Sequence, residues 1–146
     1  MLKTGILFHV PFLGPDLIEP QINQRRLAEL KKALLHFGLG CQLLDDLRDL
    51  AKDFIEGRHN YVLSTLEQEQ HPILKDWQQR PLNTDSRLYQ EVPQACLPTV
   101  RLALQYLKES LIALKQLGLD VPLVSTDRMA CSILTILDLE DLYHAC

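Results

Sequence analysis

The chain has 146 residues, 47% of them apolar and 23% charged, a balance that suits a packed globule and excludes a disordered one. That length is one domain's worth, so residues 1–146 are expected to form a single domain. A net charge of −4 leaves no basic field for a nucleic-acid partner, and no window approaches the ~20 apolar residues of a membrane span, so a soluble, cytoplasmic protein is expected.

Residues 2–13 are predicted as a short helix ended by Gly14-Pro15. Lys3, His9 and Pro11 interrupt its apolar run, and no cleavage site of small residues follows, so it is not read as a signal peptide. Pro20 suits the first turn of the next helix, predicted from Gln21 to Glu56. Within it Leu27, Leu30, Leu34, Phe37, Cys41 and Leu44 recur at alternating steps of three and four, the spacing of a face turned to a core. Gly57 is the expected stop, with Arg58 and His59 placed to favour the carbonyl end.

The stretch 61–94 is predicted as one or two short helices punctuated by Pro72, Pro81 and Pro93. A second long helix is expected from Cys96 to Leu117, with Pro98 in its first turn, a stripe of Val100, Leu104, Leu107, Leu111 and Leu114, and Gly118 as its stop. Ser125, Thr126 and Asp127 offer caps for a last helix with Met129, Ile133, Ile136 and Leu137 on its apolar face. No strand-like alternation or internal repeat appears, so the expected class is all-α, a helical bundle. Cys41, Cys96, Cys131 and Cys146 are scattered, without metal-ligand spacing, and read as thiols.

The chemistry-bearing stretch is Cys41 to Tyr61, CQLLDDLRDLAKDFIEGRHNY. Asp is a mediocre helix former, and like charges at i,i+4 cost roughly 0.2–0.5 kcal/mol per pair, so Asp45/Asp49 and Asp49/Asp53 strain the helix that carries them. Four carboxylates on neighbouring turns wind slowly around one side, where they can share a space. A hard cation such as Mg2+, which takes carboxylate, water and phosphate oxygens, would offset the repulsion. An ordinary solvated face, partly neutralised by Asp45/Arg48 and Asp49/Lys52 pairs, is the simpler alternative. Gly38 and Gly40, just before the cluster, permit close approach either of a ligand or of another helix.

Gln42 followed by Asp45, Asp46 and Asp49 resembles the Q-x-x-D-D-x-x-D segment of trans-prenyltransferases. Gln42 with Arg48-Asp49, Asp53 and Gly57-Arg58 resembles the corresponding segment of squalene and phytoene synthases. Lys3-Thr4 is similar to the K-T segment that precedes this motif in prenyltransferases. The stretch 41–61 is therefore identified as resembling the second aspartate-rich motif of class I isoprenoid synthases, and the chain as resembling the C-terminal half of that fold.

The resemblance implies Mg2+ as cofactor, an allylic prenyl diphosphate as substrate, Asp45, Asp46, Asp49 and Asp53 as metal ligands, and Lys3, Gln42, Arg48, Lys52 and Arg58 as diphosphate contacts. It also implies that the first aspartate-rich motif would precede residue 1. Activity is then expected only when an N-terminal half is supplied, by a homodimer or a separate chain. Asp138, Glu140 and Asp141 do not have the spacing to replace that motif. The rival expectation is a non-catalytic helical interaction or ligand-binding protein derived from the same fold.

Overall fold

A computed structural model describes residues 23–119 together with residues 128, 132, 134, 135 and 139. All regular structure among the described residues is helical, as the composition and periodicity require. In chain order the elements are α1 (Gln24–Arg48), α2 (Leu50–Glu56), α3 (Tyr61–Gln68), α4 (Ile73–Gln79), a 3-10 turn (Leu88–Gln90) and α5 (Pro93–Gln116). The helix expected over 2–13, with Lys3, lies outside the described residues, as do Cys131, Cys146 and the carboxylates at 138, 140 and 141. Of the last expected helix, Arg128, Ser132, Leu134 and Thr135 are helical, while Met129, Ile133, Ile136 and Leu137 lie outside the described residues.

The chain divides into two compact units. One takes the described residues up to Gln42 and those from Leu102 to Met129; the other takes Leu43–Arg101 and the described residues from Ala130 onward. Among the described residues no helix is long and apolar enough to cross a membrane.

In the first unit the expected bulky seam is only half right. Leu27 is buried, but Leu30, Leu34, Phe37 and Cys41 are only partly so, and the small residues Ala33 and Gly40 take the innermost positions. A Cβ on Gly40 would fall 2.7 Å from Leu107 Cγ and 2.9 Å from the Ala103 carbonyl oxygen, so α1 and α5 pack closely at Gly40. This settles the reading of Gly40 as a helix-packing residue. The buried stripe of α5 in this unit, Ala103, Leu107, Ser110 and Leu114, likewise alternates small and large side chains.

In the second unit Leu44, Leu47, Leu50, Leu66, Trp77, Leu88 and Val100 are essentially inaccessible to solvent. The helix predicted as one piece from Gln21 to Glu56 bends at Asp49, which has φ −87° and ψ 11°. Hydrogen bonding continues through the bend, since the Asp49 N–H donates to the Asp45 carbonyl and the Asp53 N–H to the Asp49 carbonyl, both at 2.8 Å. The bend falls where clustered Asp residues make helix propensity weakest. Gly57, left-handed at φ 62°, ends α2 as expected: its N–H meets the Phe54 carbonyl while the Arg58 N–H reaches back to Asp53 O at 2.8 Å.

The second long helix starts earlier than predicted. Pro93, read as punctuation, is its first residue, where a missing N–H costs nothing, and Pro98 therefore sits inside the helix, past its first turn.

Candidate functional site

The bend at Asp49 and the turn after Gly57 decide where the acidic side chains go. Asn60 precedes α3 in an extended conformation, and its side-chain oxygen accepts the Val62 and Leu63 N–H groups as the helix cap. Its amide nitrogen donates to the Asp46 carbonyl at 2.6 Å and to Asp53 Oδ2 at 2.9 Å. Asp46 Oδ2 accepts the Tyr61 N–H at 2.8 Å. Asp46 and Asp53 are thus engaged with the α3 entry, and Asp53 is buried with Asn60.

Asp45 and Asp49 lie elsewhere. Asp45 is exposed, and Asp49 Oδ2 stands 3.8 Å from Lys52 Nζ, a loose and partly solvated pair of small energetic weight. The structure therefore does not bring the four carboxylates to one point, and among the described residues no group of three or more His, Cys, Asp or Glu side chains is arranged to hold a metal ion. Mg2+ itself needs only one or two protein carboxylates when phosphate and water complete its shell. Of the two, Asp49 lines a cleft, and Asp45, one turn earlier, is exposed.

Electrostatics follow the same division. Burial, then the neighbouring carboxylates, push Asp46 up to about 6 against the downward pull of the Tyr61 N–H. Partial loss of hydration and repulsion from Asp49 raise Asp45 as well, with Arg48 and Lys52 pulling it back.

Asp49 lines a polar cleft of about 530 Å³, whose cationic side chains are Arg48, Lys52 and Arg87 and whose second carboxylate is Asp85. Thr84, Ser86 and Tyr89 complete the lining with hydroxyl groups. Three cations face two carboxylates in a chain whose net charge is −4, so this cleft is a local positive site on an acidic protein. A second cleft of about 350 Å³ has no such excess: Glu29, Lys32, His36 and Glu109 line it, and His36 Nδ1 is already 3.3 Å from Glu109 Oε2.

Of the other predicted contacts that are described, Gln42 and Arg58 do not line the larger cleft. Arg58 pairs with Glu56 Oε2 at 2.6 Å, and the Gln42 side-chain oxygen is buried with no hydrogen-bond donor among the described residues. Asn60, Thr84, Ser86 and Arg87 lie outside the residues to which the sequence motif points. Asn60 carries a legible signal, an N-cap residue directly before the apolar run of α3, whereas the 84–87 segment has none, lying in an irregular stretch far from the acidic motif. No protein-family model, curated protein or solved structure matches the chain, so its class rests on its own all-α fold and basic cleft.

Proposed function

We propose that the chain binds Mg2+ and an allylic prenyl diphosphate in the cleft beside Asp49, as the likeness of residues 41–61 to the second aspartate-rich motif of class I isoprenoid synthases suggests. The observation that carries the proposal is the placement of Arg48, Asp49 and Lys52 together in a cleft with an excess of positive charge. Arg48 and Lys52 would contact diphosphate oxygens, with Asp49 and Asp45 as the metal ligands. Asp46 and Asp53 serve instead to anchor the α3 entry through Tyr61 and Asn60.

Bound Mg2+ would supply neutralisation of the charge that develops on a departing diphosphate. Arg48 and Lys52 would hold that diphosphate in register on α1 and α2. Transfer, coupling or cyclisation chemistry would then arise when another aspartate-rich helix completes the site.

The reading is tested by calorimetric titration with a non-ionisable allylic diphosphate analogue, with and without Mg2+. Saturable binding that needs Mg2+ and is lost in Asp49→Ala but kept in Asp53→Asn supports it. If no Mg2+-dependent binding is observed with the unaltered chain, the proposal fails and the non-catalytic helical protein is the better description.

A further inference from the structure

Arg87 contributes charge to the cleft from a different element than Arg48 and Lys52, and its position is fixed by a tight turn. The Asn83 side-chain oxygen accepts the Asp85 N–H at 3.0 Å and the Ser86 hydroxyl at 3.2 Å, while the Ser86 N–H donates to the Asn83 carbonyl at 3.1 Å. The Leu88 N–H then closes onto the Ser86 carbonyl at 3.0 Å, leading into the 3-10 turn. Leu88 is fully buried and Tyr89 nearly so, which anchors the segment that presents Arg87. The cleft is thus lined from two sides of the sequence: the α1–α2 segment bearing Arg48 and Lys52, and one braced turn bearing Thr84 and Arg87.

Arg48 and Lys52 are near neighbours in sequence, whereas Arg87 lines the cleft from a separate segment, so an anion with two linked charged groups has a partner on each segment. We propose that Arg87, assisted by the Thr84 hydroxyl, is a second anion-binding wall that makes this cleft selective for a diphosphate over a monophosphate. The proposal rests on the reading of the cleft as a diphosphate site and adds the residue that measures the length of the anion. Charge-assisted contacts from a guanidinium fork are strong and geometrically selective, and loss of one costs about tenfold or more in affinity.

The test is titration of the full chain with inorganic pyrophosphate and with inorganic phosphate, each with and without Mg2+. The variants are Arg87→Ala, Arg87→Lys, Thr84→Ala and Arg48→Ala, with thermal melts to establish that each is folded. The expected result is tighter binding of pyrophosphate than of phosphate, with Arg87→Ala weakening pyrophosphate about tenfold and phosphate hardly at all, and Arg87→Lys restoring part of the loss. Unchanged pyrophosphate affinity in Arg87→Ala, alongside its loss in Arg48→Ala, overturns the second wall and leaves the proposed function standing. Binding that needs Arg87 but ignores Mg2+ upholds the second wall and overturns the isoprenoid reading. No binding of either anion by the unaltered chain overturns both.

Discussion

Asn60 uses its whole hydrogen-bonding capacity, accepting two N–H groups of α3 and donating to the Asp46 carbonyl and the Asp53 carboxylate. Losing a helix cap costs about 0.5–2 kcal/mol, and leaving a buried acceptor unmatched a further 1–3 kcal/mol. Asn60→Ala is therefore expected to lower unfolding free energy by about 2–4 kcal/mol in urea denaturation, with Asn60→Ser recovering the cap share only. A loss under 0.5 kcal/mol would show that the α3 entry does not depend on this residue. Asp46 sets a pH dependence of opposite sense to an ordinary paired carboxylate. Its folded pKa is raised to about 6 from 3.8, so the stability it contributes is complete below 3.8 and is lost as pH rises through about 6. Asp46→Asn keeps an acceptor for the Tyr61 N–H and cannot ionise; its melting temperature should exceed that of the unaltered chain at pH 8 and approach it near pH 4. A gap that is the same at both pH values would contradict this account.

At the scale of helices, the strongest constraints come from residues with little or no side chain. Gly57 and Gly118 both end their helices in the left-handed region, at φ 62° and 80°, and in each case the following residue's N–H reaches back five residues, Arg58 to Asp53 and Leu119 to Leu114. Gly40 has a different role, because its surroundings and not its backbone angle exclude a side chain. Gly40→Ala is expected to destabilise by about 1–3 kcal/mol through overpacking against Leu107 and the Ala103 carbonyl, and Gly40→Ala combined with Leu107→Ala should cost less than the sum of the two single losses. Simple additivity of the two changes would place the contact elsewhere. Asp49 and Asp53 belong to this scale too: one turn apart and joined by the Asp53 N–H to Asp49 carbonyl bond, they part company, Asp49 lining the cleft and Asp53 buried with Asn60.

At the scale of the molecule, burial protects one thiol and leaves another within reach. Cys41 and Cys96 are not disulfide-bonded; Cys96 is inaccessible and its thiol is pushed up to about 12 by burial, whereas Cys41 is partly exposed. In a chain with Cys131 and Cys146 replaced by Ser, a thiol reagent should label Cys41 in the native protein and Cys96 only through opening of its unit, at a rate that climbs with urea. Equal native labelling of both would mean that the second unit opens far more readily than its packing implies. The same core holds the Trp77 indole, whose N–H donates to Glu91 at 3.0 Å and whose ring meets Phe54 edge-on at 5.4 Å. The Arg80 guanidinium, hydrogen-bonded to Glu91 at 2.6 Å, holds that carboxyl below the usual carboxylate range.

Much of the fold was legible in the sequence because helix periodicity, glycine stops and proline starts are local signals. The helical class, the end of α2 at Gly57, the end of α5 near Gly118 and the acidic motif itself all follow from residues within a few turns of one another. Three matters depended on tertiary structure. In the first unit Ala33 and Gly40 rather than Leu30, Leu34 and Phe37 lie innermost, because close helix approach selects small side chains. Asp46 and Asp53 turn to the α3 entry, because the Tyr61 N–H and the capping asparagine beyond the glycine stop offer their carboxylates donors. Arg87 joins Arg48 and Lys52, because a braced turn far along the chain lines the same cleft. Periodicity states which residues share a helix face; only the packed chain determines which charges share a cavity.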